Sequence, residues 1–181
     1  MPIVGSANRV HEQGASPGAF DDKDVFAFHI HQWKRPILEA YFPKARFSYP
    51  PFYLSAKSFK KDWVRRIGAA RDPVILTWSV NLPSEAAQFA HEATIPIYFM
   101  EDGFLRSVSP HASRTPPFSL SIDSKAPYFD CHSASDLETL LQNYPFEHDP
   151  ELMRRAADGI AALLALRLSK YNAPGSSLGN K

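Results

Sequence analysis

Apolar residues fall along this chain in short blocks whose spacing alternates between two periods. Val25 to Phe28 is an unbroken apolar run, the pattern of a strand buried on both faces, and it delivers His29, Ile30 and His31 into a turn. Trp33, Ile37, Leu38 and Tyr41 then recur at helical intervals until Pro43 stops them. Arg46 to Tyr49 reads as a short strand that runs into Pro50 and Pro51. Between Ser55 and Ala70, Phe59, Trp63, Val64 and Ile67 make one stripe with basic residues between them, an amphipathic helix that closes near Gly68. Val74 to Trp78 has the character of a central strand. Pro83 and Ser84 open a further helix to about Ala93, and Ile95 to Met100 forms the next strand, ending at Glu101-Asp102-Gly103.

The second half is less regular. Phe118 to Ile122 and Tyr128-Phe129, separated by the turn formers Asp123-Ser124-Lys125, suggest a hairpin. Ser135 with Glu138 makes a capping box for a helix that carries Leu137, Leu140 and Leu141. Asp149 with Pro150 supplies the N-cap and first turn of a long helix through Leu168, bearing Leu152, Ala156, Ile160, Leu163 and Leu164. Strands alternate with helices through the first hundred residues, which predicts an α/β fold: a single Rossmann-like, mostly parallel sheet flanked by helices. The expected organisation is a flexible polar leader over 1–23, one domain over 24–172 and a flexible tail rich in Gly, Ser and Asn over 173–181.

Composition narrows the partners. A chain of 181 residues with 44% hydrophobic residues supports one core. The net charge of +1, from 20 basic and 19 acidic residues, creates no global field to collect nucleic acid or an anionic membrane, so no nucleic-acid partner is expected. A lone cysteine, Cys131, excludes an intramolecular disulfide and a multi-cysteine zinc site, and fits a reducing compartment. The leader lacks the apolar stretch of a secretory signal, and no apolar run approaches the roughly 20 residues that span a bilayer. Cytoplasmic residence is therefore expected.

Ligands of open α/β sheets collect beyond the carboxyl ends of the strands, where loops and helix N-termini converge. Three polar loops occupy such positions: His29 to Lys34, Trp78 to Ser84, and Glu101 to Arg114. In the third, Glu101 and Asp102 directly follow a buried strand and need a cation, water or hydrogen bonds; Arg106 is the natural partner. Two readings stand side by side. In one, the pair fixes the loop. In the other, Glu101 or Asp102 orients a sugar hydroxyl or acts as a base while Arg106 meets an anion. His29-x-His31 on an alternating strand end would place both imidazoles on one side, yet no third and fourth ligand has convincing spacing, so no metal is expected. Lys34 suits an anion and Trp33 a helix stripe. The basic face of Lys57, Lys60, Lys61, Arg65 and Arg66 reads as solvated, and Cys131-His132 as structural. Neither Gly-rich phosphate loop nor hydrolase elbow is present, and no cofactor is expected.

The wording of several segments is more specific than their pattern. EDGFLRSVSP (101–110), TPPFSLSIDSKAPYFD (115–130), SASDLETLL (133–141) and SKYN (169–172) together resemble, in order and spacing, the signature of the bacterial capsular polysaccharide synthesis and export family, the retaining β-Kdo transferases. His31 to Pro36 and Leu82 to Glu85 match more loosely, so the resemblance covers roughly 25–172, the N-terminal half of one module. It implies half of a two-domain glycosyltransferase fold, with a CMP-Kdo donor held mostly by a second domain or chain and a glycan or glycolipid acceptor met by this half. It also implies peripheral association with membrane export machinery at the inner face of the inner membrane. The matched residues Glu101, Asp102, Arg106 and Ser107, with His29 and Lys34, are the expected substrate contacts. The family segments that supply the nucleophile and grip CMP have no counterpart before Lys181, so the catalytic residue is unknown. A family glycine near the first loop is replaced around His29. A noncatalytic glycan or lipid-anchor binding module in capsule export is the alternative.

Overall fold

The structure, a computed structural model, describes residues 18–107 and 115–172. Most of the expected leader, the whole tail after Asn172, and His111, Ser113 and Arg114 of the third loop lie outside these residues. One five-stranded sheet runs in the order β2-β1-β3-β4-β5, with β1 at Asp24–Phe28, β2 at Arg46–Ser48, β3 at Pro73–Trp78, β4 at Ile97–Asp102 and β5 at Leu120–Asp123. β1 pairs in parallel with β2 and with β3, and β3 in parallel with β4. Two compact units divide the chain, Met1–Glu101 with Ile122–Leu141, and Asp102–Ser121 with Gln142–Lys181.

In the first unit the strand residues alternate between two buried faces, as a parallel sheet covered by crossover helices requires. Phe26 and Phe28, with Ile75, pack against Phe59, Trp63, Ile67, Ala86 and Ala90. These come from a π-helical turn (Phe59–Trp63), which continues a first short turn, α2 (Ala56–Ser58), and from α3 (Val64–Gly68) and α4 (Ser84–Glu92). The predicted helix over Ser55 to Ala70 is thus present, begun by Ser55 accepting from the Ser58 N–H, with a widened turn in its middle. Tyr98 stands level with Leu76 on the opposite face, where Phe20 closes edge-on against both Tyr98 and Phe42. Phe42 is the C-cap of α1 (Arg35–Tyr41), which is preceded by one 3-10 turn (Gln32–Lys34). Helices therefore cover both faces, and burying each large side chain completely contributes about 1.5–3 kcal/mol.

Strand order carries a consequence for the site. The chain leaves β1 for β2 on one side and reaches β3 on the other, so the connections beyond the carboxyl ends of β1 and β3 diverge, the place where ligands of such sheets collect.

One expected element is absent. Tyr128 and Phe129 lie in a turn rather than a second hairpin strand, because the segment's hydrogen bonds go to one carboxylate. Asp123 Oδ1 accepts from the N–H groups of Lys125 and Ala126 at 2.9 and 3.0 Å, which winds the chain tightly, and Pro127 has no N–H to offer a ladder. Asp123 Oδ2 accepts from the N–H groups of Asp136 and Leu137 at 2.8 and 3.3 Å, at the start of α5 (Asp136–Asn143). The predicted capping box is present there, with the Glu138 N–H donating to Ser135 Oγ and the Ser135 N–H to Glu138 Oε2.

In the second unit, Asp149 accepts from the Leu152 N–H and starts α6 (Pro150–Ala165), which ends before the predicted Leu168. None of its residues is buried. Among the described residues no helix is long and apolar enough to cross a membrane.

Candidate functional site

The first candidate region lies beyond the carboxyl ends of β1 and β3. His29, directly after β1, has φ of 53°, a left-handed conformation that few side chains other than glycine tolerate without cost. Its imidazole meets the ring of Phe52 at 4.8 Å, and His31 stacks on the same ring at 4.3 Å and 27°. Phe52 in turn braces Tyr53 edge-on at 5.1 Å. His29, Phe52, Tyr53, Leu54 and Ser55 line a cavity of about 370 Å³. Burial, and the neighbouring His31, hold the His29 pKa below its ordinary value. At the end of β3, the Lys34 ammonium sits 3.0 Å from the centroid of the Trp78 ring and 5.4 Å from that of Trp33, a cation held over aromatic faces. Trp33 itself is half-buried.

The second region lies in the other unit. Asp102 and Arg106 are buried, with the guanidinium only 1% exposed. Arg106 Nε donates to Asp102 Oδ2 at 2.8 Å and a terminal nitrogen donates to Ser107 Oγ at 2.6 Å. Backbone bonds tie the same loop to two distant segments. The Arg106 N–H donates to the Lys170 carbonyl at 3.0 Å, and the Asn172 N–H to the Ser107 carbonyl at 2.9 Å. The Gly103 N–H donates to the Ser119 carbonyl, and Ser119 Oγ to the Leu105 carbonyl at 2.7 Å. The motif pieces EDGFLRS, PPFSLS and SKYN, far apart in sequence, are thus stitched together, while SIDSK and SDLE are joined through Asp123 and Asp136. Much of the signature encodes scaffolding.

Of the six expected contacts, the structure brings Asp102, Arg106 and Ser107 into one network. It leaves Glu101 half-buried at the end of β4, and places His29 and Lys34 on the loop that follows β1. Phe52 and Tyr53 escaped the sequence reading. The available signal was an aromatic pair after Pro50-Pro51 that fits neither period. Asp130, Cys131 and His132 are the group among the described residues whose donor atoms converge, within 4.8 Å. Adjacency in the chain accounts for that closeness.

A five-stranded, mostly parallel sheet flanked by helices defines an α/β fold of the Rossmann-like class. The capsule polysaccharide biosynthesis family signature matches residues 74–174, and the chain belongs to that family. It is 32% identical over 148 residues to the lipopolysaccharide-processing protein LpsZ of Rhizobium meliloti, covering 82% of this chain and 33% of LpsZ. Identity is also 32% to the capsule polysaccharide modification protein LipA of Neisseria meningitidis serogroup A, over 82% of this chain and 20% of LipA. Among solved structures, the β-Kdo 2,4 transferase of Thermosulfurimonas dismutans KpsC superposes with a TM-score of 0.63 at 28% identity, covering 87% of this chain and 45% of that one. The β-Kdo 2,7 transferase of the same protein shares the fold, at 23% identity and a TM-score of 0.55. The chain spans a third or less of these curated relatives and under half of the transferase structures.

Proposed function

We propose that the chain is the acceptor-side half of a cytoplasmic β-Kdo transferase of capsule synthesis, which becomes active when a second domain or chain brings the CMP-Kdo donor. The observation that carries this reading is the superposition of nearly the whole chain onto under half of a β-Kdo 2,4 transferase. Transfer to a sugar needs a carboxylate near the anomeric carbon and cations or N–H groups on the departing nucleotide, converging from both walls of a cleft. In this reading Glu101 orients the acceptor hydroxyl and Lys34 meets an anion. The buried Asp102, Arg106 and Ser107 act by holding the loop that follows Glu101 in the chain, since the guanidinium already donates to protein oxygens. His29 contacts substrate from the loop after β1. Association with export machinery at the inner face of the membrane belongs to the same proposal.

The test is incubation with CMP-Kdo and a Kdo-primed acceptor, with and without the complementary half of a relative, read by mass spectrometry. Product only in the completed mixture is expected. Transfer by the chain alone overturns the half-enzyme reading, and absence of product in both arms, with acceptor binding retained, replaces it by the noncatalytic binding module.

A further inference from the structure

We infer that the cavity lined by His29, Phe52, Tyr53, Leu54 and Ser55 is a saccharide subsite, in which a single pyranose ring lays its C–H face on Tyr53 and turns hydroxyls toward the His29 imidazole. The inference rests on the reading that this chain handles glycans, and it names the place and the chemistry. Three independent features lead there.

The first is position. The cavity lies between the segment that follows β1 and the segment that follows β2, beyond the carboxyl ends of two parallel strands, the side of such a sheet on which ligands bind. The second is the wall. Tyr53 is 90% exposed, an exposure that a packing role does not explain, and yet its ring is braced from behind by Phe52, which the two imidazoles fix in turn. A rigid aromatic plane facing solvent is the surface on which the apolar face of a sugar stacks at little cost in conformational freedom. The third is backbone. A non-glycine residue held at positive φ against an aromatic cluster is strain of the kind found at ligand sites, and here it aims the imidazole at the cavity rim.

Size and charge select the class of ligand. A volume of about 370 Å³ lies near the lower end of the roughly 300–1,000 Å³ of small-molecule sites, which suits one ring rather than a nucleotide or an acyl chain. Among the described residues no lysine, arginine or carboxylate lines it, which disfavours a phosphate. Burial and His31 favour the neutral form of His29, and a neutral imidazole both donates and accepts, matching a hydroxyl.

The experiment is an amide-shift NMR titration of the 181-residue chain with the methyl pyranoside of a neutral hexose, the methyl glycoside of Kdo, CMP and a lysophospholipid below its micelle concentration. Expected are shifts centred on residues 29–31 and 52–55 with at least one glycoside, at a dissociation constant on the order of 1 mM. Tyr53→Ala, at an exposed position where folding is unaffected, weakens binding about tenfold, while His29→Gly relieves the backbone and also loses affinity. The two glycosides tell a neutral from an acidic sugar source. Shifts with CMP or lysophospholipid alone, no shifts with either glycoside, or equal affinity in Tyr53→Ala overturn the subsite. No donor or second half is required, so failure of transfer leaves this readout intact. Conversely, a completed enzyme whose acceptor KM is unchanged by Tyr53→Ala removes the subsite and keeps the transferase.

Discussion

A β-carbon at position 103 would lie 2.3 Å from Ser119 Oγ, 2.8 Å from its Cβ and 3.0 Å from its backbone carbonyl carbon. The glycine of the EDGF turn is therefore required by close approach, since its φ is not in the left-handed region. Ser119 cannot swing aside freely, because its hydroxyl donates to Leu105 and its carbonyl accepts from Gly103 itself. Gly103→Ala is expected to destabilise the chain by roughly 1–3 kcal/mol through overpacking, seen as a lower urea midpoint at unchanged slope. His29 is the reverse case, an L residue at φ 53°. Glycine would be the relaxed choice at this position.

The two readings of the Asp-Arg pair also part at this scale. Composition favours a loop-fixing pair and leaves an anion contact open. The buried Arg106 donates to Asp102 and Ser107. Removing one partner of so buried a pair leaves a charge uncompensated, which supports the loop-holding role proposed for Arg106.

At the scale of elements, α5 and α6 are begun by side chains that sequence alone identifies, while the turn before α5 is not. Asp136 is an example of an acid whose environment pulls both ways. Burial pushes its carboxyl pKa up, but hydrogen bonds from the Ser124 hydroxyl and N–H and from Lys125 outweigh it and leave the value below the ordinary one. A carboxyl with a depressed folded-state value contributes stability that is complete above its unfolded value and is lost as pH falls through the folded value. The melting temperature of Asp136→Asn should thus fall below that of the parent chain at neutral pH, and the gap should close as pH falls below the ordinary carboxylate range; a gap independent of pH would deny the carboxylate this role. For α6, Asp149 both caps the Leu152 N–H and accepts from the Tyr144 hydroxyl at 2.6 Å. Asp149→Ala should cost about 1 kcal/mol, concentrated in α6, so hydrogen exchange should quicken over 150–165 more than in β1 or β3.

The hairpin expected between Phe118 and Phe129 fails for a reason that lies outside the local pattern. Alternation marks a segment able to pair, but pairing needs donors and acceptors that are still available. Asp123 takes four N–H groups, two of them from a helix that begins a dozen residues later, and the second strand loses its register before it starts.

At the scale of the whole molecule, three large apolar side chains of α6 are exposed. Met153, Ile160 and Leu164 are 49%, 59% and 73% exposed, and their spacing of seven and four residues puts them on one helix face. A bare apolar stripe of this kind favours association in water. Sedimentation of the isolated chain should show concentration-dependent self-association, which Ile160→Lys with Leu164→Lys abolishes while leaving the circular dichroism spectrum unchanged; a strictly monomeric parent chain would contradict this.

Local chemistry written into consecutive residues was readable from the sequence: the unbroken runs of β1 and β3, the stripe of Phe59, Trp63 and Ile67, the caps at Ser135 and Asp149, and the family signature. Each depends on neighbours a few residues away, where covalent geometry decides who meets whom. Tertiary structure alone decided that β1 and β3 lie side by side, that Arg106 turns inward, and that Phe52 meets the imidazoles at the end of β1 with Tyr53 against it. Those outcomes depend on which distant segments become neighbours. The burial of a charge or the placing of a cavity is a property of that assembled neighbourhood, which no stretch of residues carries by itself.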